Sequence, residues 1–251
     1  MLRQAPPATP PPMHREYHQW HSPALGRNME LLVLGHAGAR VLVFPTSQGR
    51  FFEWEDRGMA EALAEPLARG WLQLVCVDSI DAESWYDRSR SPGDRAWRHE
   101  QYDRYVLNEV LPFSRQRNAN PYLIATGASL GAYHAVNFAL RHPHTVNRVV
   151  GMSGMYNIKE LTRGYSDANV YAHDPSHYMI HESDARWLDA VRRMDIILVI
   201  GRDDPHYQDN VHLSNVLWRR NIWHAFRTWD GWAHDWPWWR DMIRHYISGS
   251  D

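Results

Sequence analysis

The sequence predicts an α/β domain, with a mostly parallel central sheet of about eight strands and helices on both faces. Two observations predict it. Short, nearly continuous apolar runs such as "ARVLVFP" from Ala39, "LQLVCVD" from Leu72 and "DIILVIG" from Asp195 suit strands buried on both faces. Between these runs lie segments with helical spacing, and strands alternating with helices build a parallel sheet covered on both sides. The 251 residues, 44% of them hydrophobic, suffice for one sizeable core, and no repeat or internal linker divides them.

The elements follow in order. The start, "MLRQAPPATPPPM", is proline-rich and lacks the apolar stretch of a secretory signal. Residues 1–13 are therefore expected to form a disordered or extended tail, and 14–251 the folded domain. "REYHQWHS" and "MELLVLGH" read as two strands joined near Gly26-Arg27-Asn28. After "ARVLVFP" comes the helical "GMAEALAEPLARG", closed by Gly70 and distorted by Pro66. "LQLVCVD" is the fourth strand. A loop, "SIDAESWYDRSRSPG", leads into an amphipathic pattern from Asp94 to about Arg117, in which Tyr102, Tyr105, Val106, Glu109 and Val110 recur at helical spacing. Then come "YLIATG", a helix from Ser129 to His142 stopped by Pro143, and "VNRVVGM". "DIILVIG", the helical "NVHLSNVLWRRN", the strand "HAFRTW" and the helix "WPWWRDMIRHYI" complete the chain, with Pro237 suited to a first helical turn.

Composition excludes several classes. Charged residues make up 22% and the net charge is -2, so no basic face for nucleic acid is expected. The single cysteine, Cys76, allows no disulfide within the chain, and its apolar run predicts a buried structural thiol. No run approaches the ~18 apolar residues of a membrane span. The expectation is a soluble cytoplasmic protein without a membrane partner.

The chemistry concentrates in "PYLIATGASLGAYHAV" (Pro121 to Val136). A strand stops at Gly127-Ala128-Ser129-Leu130-Gly131, and a helical pattern starts at once. So sharp a turn strains its apex residue and needs small neighbours, which Gly127, Ala128 and Gly131 supply. Ser129 would then stand exposed at the carboxyl end of the sheet, above the positive end of a helix, which is the logic of a G-x-S-x-G nucleophile elbow. The pattern alone arises by chance in roughly one chain in ten of this length; strand before and helix after give it weight.

A serine hydroxyl needs a base, and the base needs a carboxylate to fix its tautomer. In this kind of sheet the order should be Ser, acid, His, each after a later strand. Asp203, Asp204 and, further on, Asp209 follow "DIILVIG", and position alone does not separate the first two. For the base, position selects His234 among 16 histidines: it lies between the last strand and the last helix, whereas His224 belongs to the strand and His206 and His212 sit beside or within the preceding helix. An oxyanion hole would use the Leu130 backbone N–H and a second donor from "TSQGR", with Ser47 chosen over its neighbours Thr46 and Gln48. One such donor contributes ~3 kcal/mol to the transition state.

These residues carry a resemblance. "GASLGAYHAVNFALRHPHTVNRVVGMSGMYN" resembles the esterase D-like branch of the α/β-hydrolases, which includes S-formylglutathione hydrolases, feruloyl esterases and mycolyltransferases. The similarity runs from about His14 onward. It rests on the elbow, on Ser153-Gly154 and Tyr156, on "G-x-D-D" and on the terminal "H-x-W-x-x-W". It implies an α/β-hydrolase fold, Asp204 as the acid three residues past Gly201, His234 as the base, and neither cofactor nor metal. One departure is "FPTSQGR", where relatives often carry a His-Gly turn; it bears on Ser47. The function expected is a serine carboxylesterase acting on a small-molecule ester. An acyltransferase with the same triad, or a non-catalytic binding module on the same scaffold, is the alternative.

Other features are weaker. His173, His177 and His181 are four apart, but Pro175 between them argues for a polar loop rather than a zinc site. "SWYD" follows the fourth strand, so Trp85 and Tyr86 are candidates for a substrate pocket or for plugs of that loop. Trp229, Trp232, Trp236, Trp238 and Trp239 crowd around His234; most are expected in the core, with Trp232 or Trp236 as a pocket wall. The short stretch from Ile158 to Met194 would form a partial cap over an accessible pocket.

Overall fold

The structure is a computed structural model and describes residues 13–248. The tail assigned to residues 1–13 lies outside the described residues except for Met13, which packs on the core.

Eight strands form one sheet: β1 (Arg15–Ser22), β2 (Arg27–Leu34), β3 (Ala39–Phe44), β4 (Leu72–Val77), β5 (Leu123–Ala128), β6 (Arg148–Met152), β7 (Asp195–Gly201) and β8 (Ala225–Trp229). Their order is β1-β2-β4-β3-β5-β6-β7-β8. The β1–β2 and β2–β4 pairs are antiparallel, and every other pair is parallel.

The apolar runs are explained by two cores, one on each face. Along β3, Leu42 and Phe44 enter the core on one side, and Val41 and Val43 the core on the other. Along β7 the same alternation sends Ile196 and Leu198 one way and Ile197 and Val199 the other. Strands buried on both faces have no polar face to show in sequence. The first core lies under helices Pro92–Tyr105, Leu130–Arg141 and Tyr207–Arg219. The second lies under the helical segment after β3 and the last helix, Trp236–Tyr246. Cys76 sits in the second core, where burial pushes its thiol well up, as befits an inert structural group.

Three segments differ from their sequence reading. The pattern from Asp94 to Arg117 is helical throughout but widens into a π-turn at Val106–Val110, ahead of Leu111–Arg117. Pro112 has no N–H to return to the carbonyl of Asn108, and the ladder loosens there. "PSHYMIH" is a helix, Pro175–His181, not a loop. Its proline occupies the first turn, where a missing N–H costs nothing. His224 lies ahead of β8, not in it, and pairs with Ser214 Oγ.

The stretch from Ile158 to Met194 folds as four short helices. It is bound to the body by Ile158, Leu161, Val170, Met179 and Val191, all buried in the first core. Tyr133 donates from helix Leu130–Arg141 to the His173 carbonyl, and Tyr178 donates to Asn137 on that helix. No helix among the described residues is long and apolar enough to cross a membrane.

Candidate active site

At the end of β5 the chain reverses within one residue. Ser129 has φ 55° and ψ -123°, a region that costs about 1–3 kcal/mol for a residue with a side chain. Packing holds it there. A Cβ on Gly127 would meet the Gly131 backbone at 2.4 Å, and one on Gly131 would meet the Pro45 carbonyl at 2.5 Å. Both positions therefore require glycine, and the helix can lie directly against β5 and the end of β3. The Ser129 N–H donates to Met152 O at the end of β6. Its hydroxyl projects half-exposed above the N-terminus of helix Leu130–Arg141.

Two later loops bring partners to it. After β7, Asp204 is 4% exposed. After β8, the chain folds back over β7. Gly201 permits this, because a Cβ there would strike the Trp232 carbonyl at 2.4 Å. Ala233 takes φ 45°, and its carbonyl accepts from Ser153 Oγ, which itself accepts from Trp239 Nε1. The Asp203 N–H donates to Gly231 O and ties the two loops together. His234 is thereby fixed with Nδ1 2.7 Å from Asp204 Oδ2 and Nε2 3.2 Å from Ser129 Oγ. Asp204 Oδ1 accepts the His206 N–H at 2.9 Å. Asp203 is exposed, and Asp209 instead faces His206 at 3.7 Å.

The loop after β3 has a specific pattern of hydrogen bonds. Thr46 N–H donates to Glu53 Oε2, Gln48 N–H to Asp81 Oδ2, and Gly49 N–H to Thr46 O. Between Thr46 and Gly49 the Ser47 N–H alone has no acceptor among the described residues, and the Leu130 N–H is likewise free as the first of its helix. The Ser47 hydroxyl accepts from Tyr86 at 3.0 Å.

The neighbouring aromatics divide. Trp85 is fully buried against His99, Tyr133 and His173; it plugs the loop into the core and does not line a pocket, which corrects its candidacy. Its neighbour Tyr86 points the other way, to Ser47. Of the tryptophans around His234, Trp239 is buried with its ring 5.3 Å from the imidazole, while Trp232 is 51% exposed at 5.7 Å. Trp238 is exposed as well, so fewer of these rings belong to the core than their crowding in sequence implies.

Sequence reasoning missed three residues at the site. The His206 ring lies 5.8 Å from that of His234, tilted by 49°, and its pairing with Asp209 raises its pKa, with Asp204 adding to the effect. Asp81 and Glu53 hold the Ser47 loop. No motif marks them; only the pairing across the fold does. His173, His177 and His181 do not all share a face. His173 is buried ahead of the helix beside Glu100, and His177 packs on His181. No cluster suited to a metal occurs among the described residues.

The sequence profile of the family described as "Putative esterase" matches residues 22–245. The chain belongs to this esterase family. It is accordingly an enzyme of the carboxylic ester hydrolases. No curated protein matches it. Among solved structures, it is similar to a ferulic acid esterase (TM-score 0.76, 19% identity, covering 94% of this chain and 96% of that one). It is similar also to fluorophosphonate-binding serine hydrolase F of Staphylococcus aureus (TM-score 0.74, 19% identity, 95% and 98% covered). An S-formylglutathione hydrolase of the same organism aligns with a TM-score of 0.70 at 20% identity, covering 96% and 98%. The esterase shares with them the α/β-hydrolase fold.

Proposed function

We propose that the chain is a serine carboxylesterase that cleaves small or medium acyl esters through an acyl-enzyme. The observation that carries the reading is the unbroken hydrogen-bonded series Ser129 Oγ, His234, Asp204, with each contact at 3.2 Å or less. That is within reach for proton transfer.

Ser129 Oγ attacks the ester carbonyl while His234 Nε2 takes its proton. Asp204, buried on Nδ1, holds the ring's tautomer and stabilises the imidazolium. The carbonyl oxygen becomes an oxyanion that the N–H groups of Leu130 and Ser47 receive. Collapse expels the alcohol, which takes the proton from His234 and leaves Ser129 acylated. Water then attacks with His234 as base, and a second tetrahedral species releases the acid and restores Ser129. Tyr86 and the exposed Trp232 flank the site as apolar walls for the substrate. Exposed Ser47, Gln48 and Trp232 leave the site open to water, the acceptor in hydrolysis. No step calls for a metal or cofactor.

The test is hydrolysis of p-nitrophenyl acetate and butyrate by wild type and by Ser129→Ala. Loss of turnover in the variant is expected, and equal rates would end the reading. Failure of a fluorophosphonate to label Ser129 on folded protein would point to a binding module. Acylated alcohol as the main product, with acceptor alcohols added, would point to a transferase.

A further inference from the structure

The two proposed oxyanion donors sit on different elements: Leu130 starts the helix after β5, and Ser47 lies in the loop after β3. Their spacing must be held to a fraction of an ångström, since a 1 Å misplacement costs about 10²-fold in rate. Packing of Gly131 on the Pro45 carbonyl seats the start of the helix on the end of β3, but beyond Pro45 the chain through Ser47 and Gln48 is exposed and needs a further restraint.

One carboxylate spans the gap. Asp81, 1% exposed, accepts the Gln48 N–H at 2.9 Å with Oδ2, and its Oδ1 lies 3.0 Å from His134 Nε2. Gln48 follows Ser47 directly. His134 lies one turn after Leu130 on the same helix and is itself 2% exposed. The loop needs the restraint, because Gln48 sits at φ 56°, a strained conformation for a residue with a side chain. No Lys or Arg pairs with Asp81 among the described residues, so its carboxylate is given over to these two donors. The Asp81 carbonyl also accepts the Tyr86 N–H at 2.9 Å, and Tyr86 donates to Ser47 Oγ. Ser79 Oγ donates to Gly49 O from the same stretch.

We propose that Asp81, held by His134, is a positioning residue: it cross-links the Ser47 loop to the nucleophile's helix and thereby sets the distance between the two oxyanion donors. The proposal rests on the serine-esterase reading above. Asp81 does not touch substrate. Both tetrahedral species, on the way to the acyl-enzyme and away from it, carry the oxyanion, so kcat falls whichever step limits. KM need not move, because the ground-state carbonyl does not depend on the hole in the same degree.

The experiment measures kcat and KM on p-nitrophenyl butyrate, and the affinity for an alkyl trifluoromethyl ketone, whose serine hemiketal places an oxyanion in the hole. Folding of each variant is checked by its melting transition. Asp81→Ala is expected to lower kcat about 10- to 100-fold, with KM within about 2-fold, less than or near the loss of a whole donor. Ketone affinity should fall in parallel. Asp81→Asn is expected to recover to within about 5-fold of wild type, since its amide oxygen accepts from Gln48 and its amide nitrogen donates to the other tautomer of His134. If Asp81→Ala does not fold, the pair His134→Gln, which keeps a donor to Asp81, and His134→Leu, which does not, carries the test: the first should retain kcat and the second lose it. Wild-type kcat and ketone affinity in folded Asp81→Ala or His134→Leu would overturn the proposal. So would a loss confined to KM. Equal activity of wild type and Ser129→Ala would instead overturn the esterase reading beneath it, so the two failures are told apart.

Discussion

The turn at Ser129 and the loop Thr46–Gly49 supply the two halves of the proposed site and are held by different forces. The Ser129 turn is fixed by contact. Gly127 and Gly131 touch where no side chain fits, and residues Leu130 to Leu140 are all buried. The Ser47 loop is half exposed and is fixed by hydrogen bonds to carboxylates from elsewhere, Glu53 on one side and Asp81 on the other. Close packing is stiff and local. Hydrogen bonding across loops is adjustable, and it is specified by residues that need not be near in sequence. The two halves can therefore be changed independently, one through its packing and the other through its hydrogen-bonding partners.

That contrast can be broken or sharpened in order of effect. The largest change is expected at the packed half and its partners. Ser129→Ala should cost about 10⁴- to 10⁶-fold in kcat, and Asp204→Asn about 10⁴-fold by stranding His234 in the wrong tautomer, both read by ester hydrolysis. A mild Asp204→Asn effect would mean that another group orients the base.

Next comes stability at the same turn. Gly131→Ala drives a methyl against backbone at 2.5 Å, and overpacking of this kind costs about 1–3 kcal/mol or more. A melting temperature lowered by roughly 3–10 °C is expected, and an unchanged one would show that the turn is not set by contact.

A third test reaches beneath both halves to His99, whose ring lies 5.0 Å from that of His134. Burial holds His99 well below the ordinary histidine value of 6.5, with His173 and His134 adding to the effect. On acidification the unfolded chain takes up a proton there that the folded chain refuses. Stability at this residue is thus lost as pH falls below about 6.5, by at most about 1.4 kcal/mol per pH unit. The melting temperature of wild type should fall more steeply than that of His99→Phe between about pH 7.5 and 5.5, and parallel slopes would refute the assignment.

The smallest effect belongs to the hydrogen-bonded half. Tyr86→Phe removes one neutral bond to Ser47 and should lower kcat by no more than about 5-fold. A loss of about 10²-fold would make Tyr86 a direct participant in catalysis.

Much of this was legible in the sequence, and the rest was hidden for identifiable reasons. The strands showed because burial on both faces leaves unbroken apolar runs. Pro112 and Pro175 were visible as prolines, yet whether each breaks, widens or starts a helix depends on which carbonyl would have lacked its donor. Trp85 and Tyr86 were indistinguishable as neighbours following a strand; the turn at Asp81–Glu83 sends one ring into the core and the other to Ser47.

By itself, the sequence determined the order of strands and helices, the turn that exposes Ser129 and the place of His234 after the last strand, because periodicity and the need for small residues act over a few positions. The resemblance pointed to Asp204, but only the tertiary structure put its carboxylate against His234 Nδ1, left the Ser47 N–H without an acceptor between those of Thr46 and Gln48, and brought Asp81 to both Gln48 and His134. Those choices depend on which side chain meets a partner some 30 to 50 residues away, and the direction of a side chain in a loop is set by that partner, not by the residues beside it.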